Sequence, residues 1–164
     1  MNRYLQLGKY TAGLPPAFVR PFRQHWQTKP HTAANVRLMI EQILKHFSYQ
    51  EYLTNTHDLA KSRFVGVRKI IAIRLRTCGS LASITASVLR QLGYPTKLID
   101  GRFRHGQKIF RHAWIEVNLD PEKKYRSFDP NRYPGRITKS YLKRGQYVDW
   151  SELETKISKP HGHR

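Results

Sequence analysis

The stretch that most restricts the possible folds is residues 77–119, where a helical pattern stops sharply and strand patterns follow directly. Apolar residues recur at three- and four-residue spacing from Leu81 to Leu92, and Gly93 with Pro95 ends this helix. Two strands joined by a turn near RHGQK are predicted in the segment that follows, TKLIDGRFRHGQKIFRHAWIEVNL. A helix that leads into adjacent strands predicts an α+β fold with an antiparallel sheet.

The other segments give less regular patterns. TAANVRLMIEQILKHF has the periodicity of an amphipathic helix, and Thr32 can cap its start. Residues 59–76 fit both a strand and a helix, and we favour a helix. A third strand is predicted at YRSF, just before DPN. Residues 1–31 contain many Pro, Gly and aromatic residues without a clear period, so we expect an irregular segment that wraps around the rest.

The length and composition of the chain favour one compact domain. The 164 residues are 39% hydrophobic, which suffices to bury a core. We expect this domain to cover residues 32–150 and a basic tail to follow at 151–164. A single cysteine cannot form an internal disulfide or a multi-cysteine zinc site, so neither a disulfide scaffold nor a zinc ribbon is expected.

The sequence shows no apolar stretch typical of a signal peptide or of a membrane-spanning helix. We therefore expect a soluble protein in the cytoplasm.

A large positive charge indicates an anionic partner or substrate. Thirty Lys and Arg residues against eleven Asp and Glu give a formal net charge of +19. Nucleic acid, an acidic membrane surface, a cell-wall polymer and an acidic protein all fit this charge, and so does a basic surface that only aids solubility. GRFRHGQKIFR interleaves cationic with aromatic residues, a mixture also found in nucleic-acid-binding surfaces.

The single cysteine, Cys78, falls in the first turn of the predicted helix 78–92, with Thr77 as the candidate N-cap. Backbone N–H groups in this turn have no intrahelical acceptor, and the helix dipole favours a negative charge, so a thiolate or an oxyanion would be stabilised there. The alternative is a structural cysteine that packs like a large alanine. The helix alone leaves both interpretations open.

A histidine and an aspartate could complete a thiol catalytic triad with Cys78. His112 alternates with Phe110 and Trp114 on one face of the predicted second strand, and Asp129 ends the third strand because Pro130 stops its pairing. In such a triad the cysteine attacks as a thiolate, the histidine transfers the proton, and the carboxylate orients the histidine. Each residue alone also has an ordinary structural explanation, but the order Cys78, His112, Asp129 favours the triad.

Three motifs resemble the core of the transglutaminase-like superfamily: TCGSLASITASVLRQLGYPTKLIDG, HAWIEV and SFDPN. The intervals of 34 residues from Cys78 to His112 and 17 from His112 to Asp129 also suit the family. The resemblance covers about residues 32–132. It implies a papain-like fold with the nucleophile helix packed on an antiparallel sheet, a catalytic domain within 32–150, acyl transfer from a peptide or protein amide through a thioester, no cofactor and no metal.

The sequence also departs from the family pattern. Members often have Gly before the cysteine and an acidic and an aromatic residue soon after it, whereas Thr77 precedes it here and Ser80 and Leu81 follow. The second oxyanion donor is not fixed by any spacing, and Trp26 and Gln27 are upstream candidates. The resemblance implies a cysteine peptidase, an amidase or a transamidase, with the substrate expected to be acidic or attached to an anionic polymer. A non-catalytic basic module that binds nucleic acid or another polyanion is the alternative.

Overall fold

A computed structural model of the chain describes residues 14–47, 67–74, 77–119, 124–132 and 141–147. In these residues, helices come first and strands follow: α1 (Pro16–Trp26), α2 (Ala33–Lys45), α3 (Val67–Ile73), α4 (Cys78–Gln91), β1 (Thr96–His105), β2 (Lys108–Leu119), β3 (Lys124–Phe128), a 3₁₀ turn (Pro130–Arg132) and β4 (Tyr141–Tyr147). The predicted α+β fold, in which the helix that begins at Cys78 packs against an antiparallel sheet, is confirmed.

Helix α1 corrects the prediction of an irregular conformation for residues 1–31. Proline is compatible with the start of a helix, because the N–H that it lacks would have no acceptor there. Pro21 lies inside the helix and removes one hydrogen bond. Burial of Val19, Phe22 and Trp26 at helical spacing compensates for this loss. Residues 1–13 lie outside the described residues.

Helix α2 forms where its apolar period predicts it. Thr32 caps the helix, since its hydroxyl oxygen accepts a hydrogen bond from the Asn35 backbone N–H at 3.2 Å. The apolar face of α2 is buried in the core: Val36, Met39, Ile40 and Ile43. Helix α3 agrees with the preference for a helix in the ambiguous segment 59–76, of which residues 59–66, 75 and 76 lie outside the described part.

Helix α4 lies at the centre of the molecule and is buried along most of its length, from Gly79 to Arg90. Its end depends on Gly93, whose φ of +87° is a conformation that glycine adopts without strain. There the N–H groups of Gly93 and Tyr94 donate to the carbonyls of Arg90 and Leu89, both at 3.0 Å. The chain can therefore turn from the buried helix directly into β1.

The sheet has the strand order β3-β2-β1-β4, with antiparallel pairing throughout. Strands β1 and β2 form the predicted hairpin, and their register places Gly101 opposite His112 and Phe103 opposite Phe110. Strand β3 contains the predicted YRSF. Strand β4 was not predicted; it pairs with the outer side of β1, with an irregularity between Asp100 and Gly101.

No helix in the described part of the chain is long and apolar enough to span a membrane. The predicted tail, residues 151–164, lies outside the described residues.

Candidate active site

Cys78 is the first residue of α4 and is partly exposed, with its side chain packed against the edge of the core. A reciprocal capping box fixes this helix start: the Thr77 hydroxyl oxygen accepts from the Ser80 N–H at 3.1 Å, and the Ser80 hydroxyl oxygen accepts from the Thr77 N–H at 2.8 Å. Thr77 and Ser80, which depart from the family pattern, thus have a structural role. The N–H groups of Cys78 and Gly79 have no acceptor within the helix and suit an oxyanion.

His112 lies on β2 and is buried, with a hydrogen bond to a carboxylate on one side of the ring and to the cysteine on the other. Its Nε2 is 2.7 Å from Asp129 Oδ2. A carboxylate can only accept, so Nε2 carries a proton and donates it. The Cys78 side chain also hydrogen-bonds His112, and because Nε2 is occupied, Nδ1 is the nitrogen that faces the sulfur. The imidazole therefore connects the sulfur and the carboxylate.

The charge of His112 is set by opposing effects. Burial lowers its pKa, but the hydrogen bonds to Asp129 and Cys78, together with the negative charge of both partners, outweigh burial and raise the pKa to about 9. The imidazole is therefore protonated at neutral pH. An imidazolium beside a sulfur atom favours the thiolate, which is the nucleophilic form of cysteine.

Asp129 directly follows β3, and its side chain is buried, with 1% of the residue exposed. Besides His112 it has two further donors: the Asn131 backbone N–H to Oδ1 at 3.0 Å and the Tyr141 hydroxyl to Oδ2 at 2.7 Å. Three donors satisfy the buried carboxylate and fix its orientation toward the imidazole. The 3₁₀ turn after Asp129 supplies the Asn131 N–H, so the DPN sequence positions the carboxylate.

Aromatic rings enclose His112. The ring of Trp114 is stacked on it at 6.2 Å between centroids, Tyr141 meets it edge-on at 5.8 Å, and Phe103 lies at 6.1 Å. Tyr141 also contacts Phe103 at 5.0 Å and Trp114 at 5.3 Å. The packing restricts rotation of the imidazole and keeps water from its hydrogen bond with Asp129.

Tyr141 is a site residue that the sequence analysis missed. It begins β4 and lies opposite Phe103 of β1, and from there its hydroxyl reaches Asp129 beyond β2. The segment YLKRGQY has no strand-like alternation of apolar and polar residues, and no local motif links a tyrosine to an aspartate twelve residues earlier. The contact depends on the order of strands in the sheet, which the local sequence does not specify.

Trp26 and Gln27, the two candidate oxyanion donors, lie at the end of α1. Trp26 is buried, and its single N–H donates to Gln42 Oε1 at 2.7 Å, so Trp26 has no donor left for an oxyanion. Gln27 is exposed just after α1. Arg23 of α1 hydrogen-bonds Gln91, the last residue of α4. Helix α1 therefore meets the end of α4 remote from Cys78, about 20 Å away at 1.5 Å per helical residue.

No group of three or more His, Cys, Asp or Glu side chains among the described residues is arranged to bind a metal ion. Cys78 and Asp129 each form a hydrogen bond with His112.

Comparison with known proteins agrees with this arrangement. The family model of the transglutaminase-like superfamily matches residues 21–130, which is 110 of the 164 residues and includes Cys78, His112 and Asp129. No curated protein matches the chain significantly.

A solved structure shares the fold. It is a Cytophaga hutchinsonii protein provisionally described as a cysteine protease, and it matches 92% of this chain with a TM-score of 0.62 and 16% sequence identity. The match covers 46% of that protein, so this chain spans about half of its length.

Proposed function

Because the chain belongs to the transglutaminase-like superfamily, we propose that it is a cysteine-dependent enzyme that cleaves or transfers an amide acyl group. Cys78 is the nucleophile, His112 the general acid and base, and Asp129 the residue that orients His112. The substrate is a peptide or protein amide.

The observation that carries the proposal is the continuous hydrogen-bond chain from Cys78 through His112 to Asp129. A buried structural cysteine needs no charged partner, and a buried histidine without a partner would be neutral. Burial lowers the pKa of His112 and so favours its neutral form, yet its pKa is about 9. A site that maintains a buried positive charge beside a helix-start sulfur suits a thiolate nucleophile.

Acylation follows from this charge state. The Cys78 thiolate attacks the carbonyl carbon of the amide, and the negative charge that develops on the carbonyl oxygen is stabilised by N–H groups at the start of α4. As the tetrahedral intermediate collapses, the C–N bond breaks and His112 Nδ1 gives its proton to the leaving amine. The products are a free amine and a thioester on Cys78, with His112 now neutral.

Deacylation reverses the proton transfer. Neutral His112 takes a proton from the incoming nucleophile, which attacks the thioester and releases the Cys78 thiolate. Water gives a carboxylic acid and an amine gives a new amide, so hydrolysis and transfer share the same acyl-enzyme. Asp129 remains ionised and stabilises the imidazolium in both steps.

The alternative, a non-catalytic basic module that binds a polyanion, explains the net charge of +19 but not the arrangement around His112. Binding of nucleic acid or another polyanion does not require a thiol that is hydrogen-bonded to a buried imidazolium. The pH dependence of Cys78 alkylation distinguishes the two functions, because a partly exposed thiol without an imidazolium partner reacts only as the pH approaches its ordinary pKa.

We expect Cys78 to react with iodoacetamide at nearly the same rate from about pH 6 to pH 8. The raised pKa of His112 keeps the imidazolium, and with it the thiolate, in place until the pH approaches 9. An ordinary cysteine becomes about 75-fold more reactive over the same range, because its pKa is about 8.5. Mass spectrometry of the alkylated chain, compared with free cysteine, measures both profiles.

His112→Gln and the urea-unfolded chain are the controls for this profile, because both lack the imidazolium. Both should regain the steep rise with pH. A Cys78 profile in the folded protein that runs parallel to that of free cysteine would exclude the ion pair.

We expect Tyr141→Phe to lower turnover about three- to tenfold, since a hydrogen bond to a charged group is lost and the carboxylate is held less firmly. The variant should also raise the pKa of His112 by about half a unit. Without the hydrogen bond from the phenol, the negative charge of Asp129 Oδ2 acts more strongly on the imidazole. Nuclear magnetic resonance of the imidazole protons follows this titration. Tyr125→Phe, which removes a phenol from β3, should change neither quantity, and an unchanged His112 titration in Tyr141→Phe would exclude a positioning role for Tyr141.

A further inference from the structure

The tip of the β1–β2 pair projects from the core next to His112. We refer to residues 101–111 as the basic hairpin. The side chains from Lys108 to Arg111 are all exposed, although they belong to consecutive positions of β2 and so point to both faces. Phe110 is 51% exposed and Ile109 is 47% exposed. Exposed aromatic and aliphatic side chains on a paired strand indicate a surface that contacts another molecule.

The basic hairpin carries four cationic side chains and no acidic one, as its sequence GRFRHGQKIFR shows. Arg102 lies directly opposite Arg111 in the register. Like charges opposite each other on one face of a sheet destabilise the pair. This pair lies on the face opposite Phe103, Phe110 and His112, and it concentrates positive charge at the exposed tip of the hairpin.

One face of the basic hairpin continues into the candidate active site. Phe103 and Phe110 are opposite each other, and His112 follows two residues after Phe110 on the same face. The ring of Phe103 contacts both His112 and Tyr141. An extended chain that lies on these two aromatic rings is thereby directed toward Cys78 and His112, with Lys108 on the same face and the three arginines on the other.

We propose that the basic hairpin is the substrate-binding surface and that it binds an acidic peptide segment next to the amide that is cleaved or transferred. This inference rests on the proposed function, because the bound peptide presents its amide to Cys78. The aromatic rings contact the peptide chain, and Lys108, on the same face, binds one of its carboxylates. The arginines on the other face of the exposed hairpin add to the positive potential that attracts the acidic segment. A peptide is favoured over nucleic acid because the aromatic face leads to a site for amide chemistry.

Binding is tested without chemistry in the full chain carrying Cys78→Ala. The probe is a fluorescein-labelled peptide of about ten residues in which Glu and Ala alternate, and the reference is the same peptide with Gln in place of Glu. At about 0.01 M salt we expect at least tenfold tighter binding of the acidic probe, and at about 0.15 M salt we expect weaker binding, because the Debye length falls from about 30 Å to 8 Å.

Two double variants with the same change in net charge localise the interaction. Arg104→Glu with Lys108→Glu should weaken binding of the acidic probe at least tenfold, since Lys108 loses an ion pair and both reversals replace attraction near the peptide by repulsion. Arg20→Glu with Arg37→Glu, on the exposed sides of α1 and α2, should weaken it less than about threefold. Circular dichroism verifies that both variants fold.

Equal weakening by the two double variants would overturn the proposal, because the total charge would then explain binding. The proposal would also be overturned if the chain bound a labelled oligothymidylate more tightly than the acidic probe and if the hairpin variant abolished oligothymidylate binding. The surface would then bind nucleic acid. Failure of the proposed function is detected separately, by the alkylation profile of the unmodified chain. If the peptide binds but Cys78 shows no thiolate reactivity, the proposed enzymatic function is refuted and the proposed peptide-binding surface is supported.

Discussion

Cys78→Ala should lower amide cleavage and acyl transfer by at least about 10³-fold while leaving the protein folded. The thiolate is the only group in this site that forms the thioester, so nothing replaces it. Because Cys78 is partly exposed at the start of α4, loss of its sulfur should cost no more than about 1 kcal/mol of unfolding free energy. Hydrolysis of a fluorogenic peptide amide and incorporation of a fluorescent primary amine into an unfolded acceptor protein measure the two reactions.

Ser87→Ala is a matched control, because it also removes one heavy atom from α4; its hydroxyl donates only to the Ser83 carbonyl within the same helix. It should retain activity within about twofold. His112→Ala should nearly equal Cys78→Ala, and the double variant should be no worse, since residues of a catalytic unit have non-additive effects. Undiminished turnover in Cys78→Ala would refute the thiol mechanism.

Asp129→Asn should lower turnover about 10²- to 10⁴-fold, by analogy with serine triads. The amide keeps the size of the side chain, but its single oxygen replaces only one of the two carboxylate oxygens, of which Oδ1 accepts from the Asn131 N–H and Oδ2 from Tyr141 and His112. It also has no charge to stabilise the imidazolium. The pKa of His112 should fall from about 9, because both the hydrogen bond and the charge of Asp129 raise it. The alkylation rate of Cys78 should then rise with pH across the neutral range.

Asp100→Asn is the control for loss of a buried aspartate from the same sheet. Asp100 lies on β1 next to Gly101 and points to the face opposite His112. This substitution should leave the alkylation profile unchanged, whatever it does to stability. A loss of less than threefold in Asp129→Asn would show that another group orients His112.

The parts of the fold that follow from local sequence rules were predictable. Helix α4 was predicted from its apolar spacing, from Thr77 at its start and from Gly93 at its end, and the structure has these features. The β1–β2 hairpin was predicted because its strand patterns flank a turn with Gly106, which has a positive φ. In each case the residues that specify the element lie within it or beside it.

The parts that were missed depend on contacts between distant segments. Helix α1 was not predicted because Pro16 and Pro21 lower its helix propensity. Its stability comes instead from burial of Val19, Phe22 and Trp26. Strand β4 has no alternating pattern, and it forms because the outer side of β1 offers hydrogen-bond partners.

The same distinction applies to the candidate site, where residues in local motifs were predicted and a residue brought in by a distant contact was missed. Cys78, His112 and Asp129 were identified from their motifs, because each stands at a recognisable point: a helix start, a strand and a strand end. Their catalytic roles remain predictions. Tyr141 lies on β4, and no rule based on neighbouring residues predicts its contact with Asp129. Trp26 was a candidate oxyanion donor only by its order in the chain, and its N–H donates to Gln42 Oε1. The role of Gln27 stays a prediction.

The order of strands has a consequence for folding kinetics. Helix α4, β1, β2 and β3 follow one another along the chain, and β2 pairs with its two sequence neighbours. Contacts of low sequence separation form early because they close short loops. Strand β4 must instead return across the sheet to pair with β1. We therefore expect the nucleophile, the imidazole and the carboxylate to come together in the folding nucleus, and the tyrosine that restrains the carboxylate to dock afterwards.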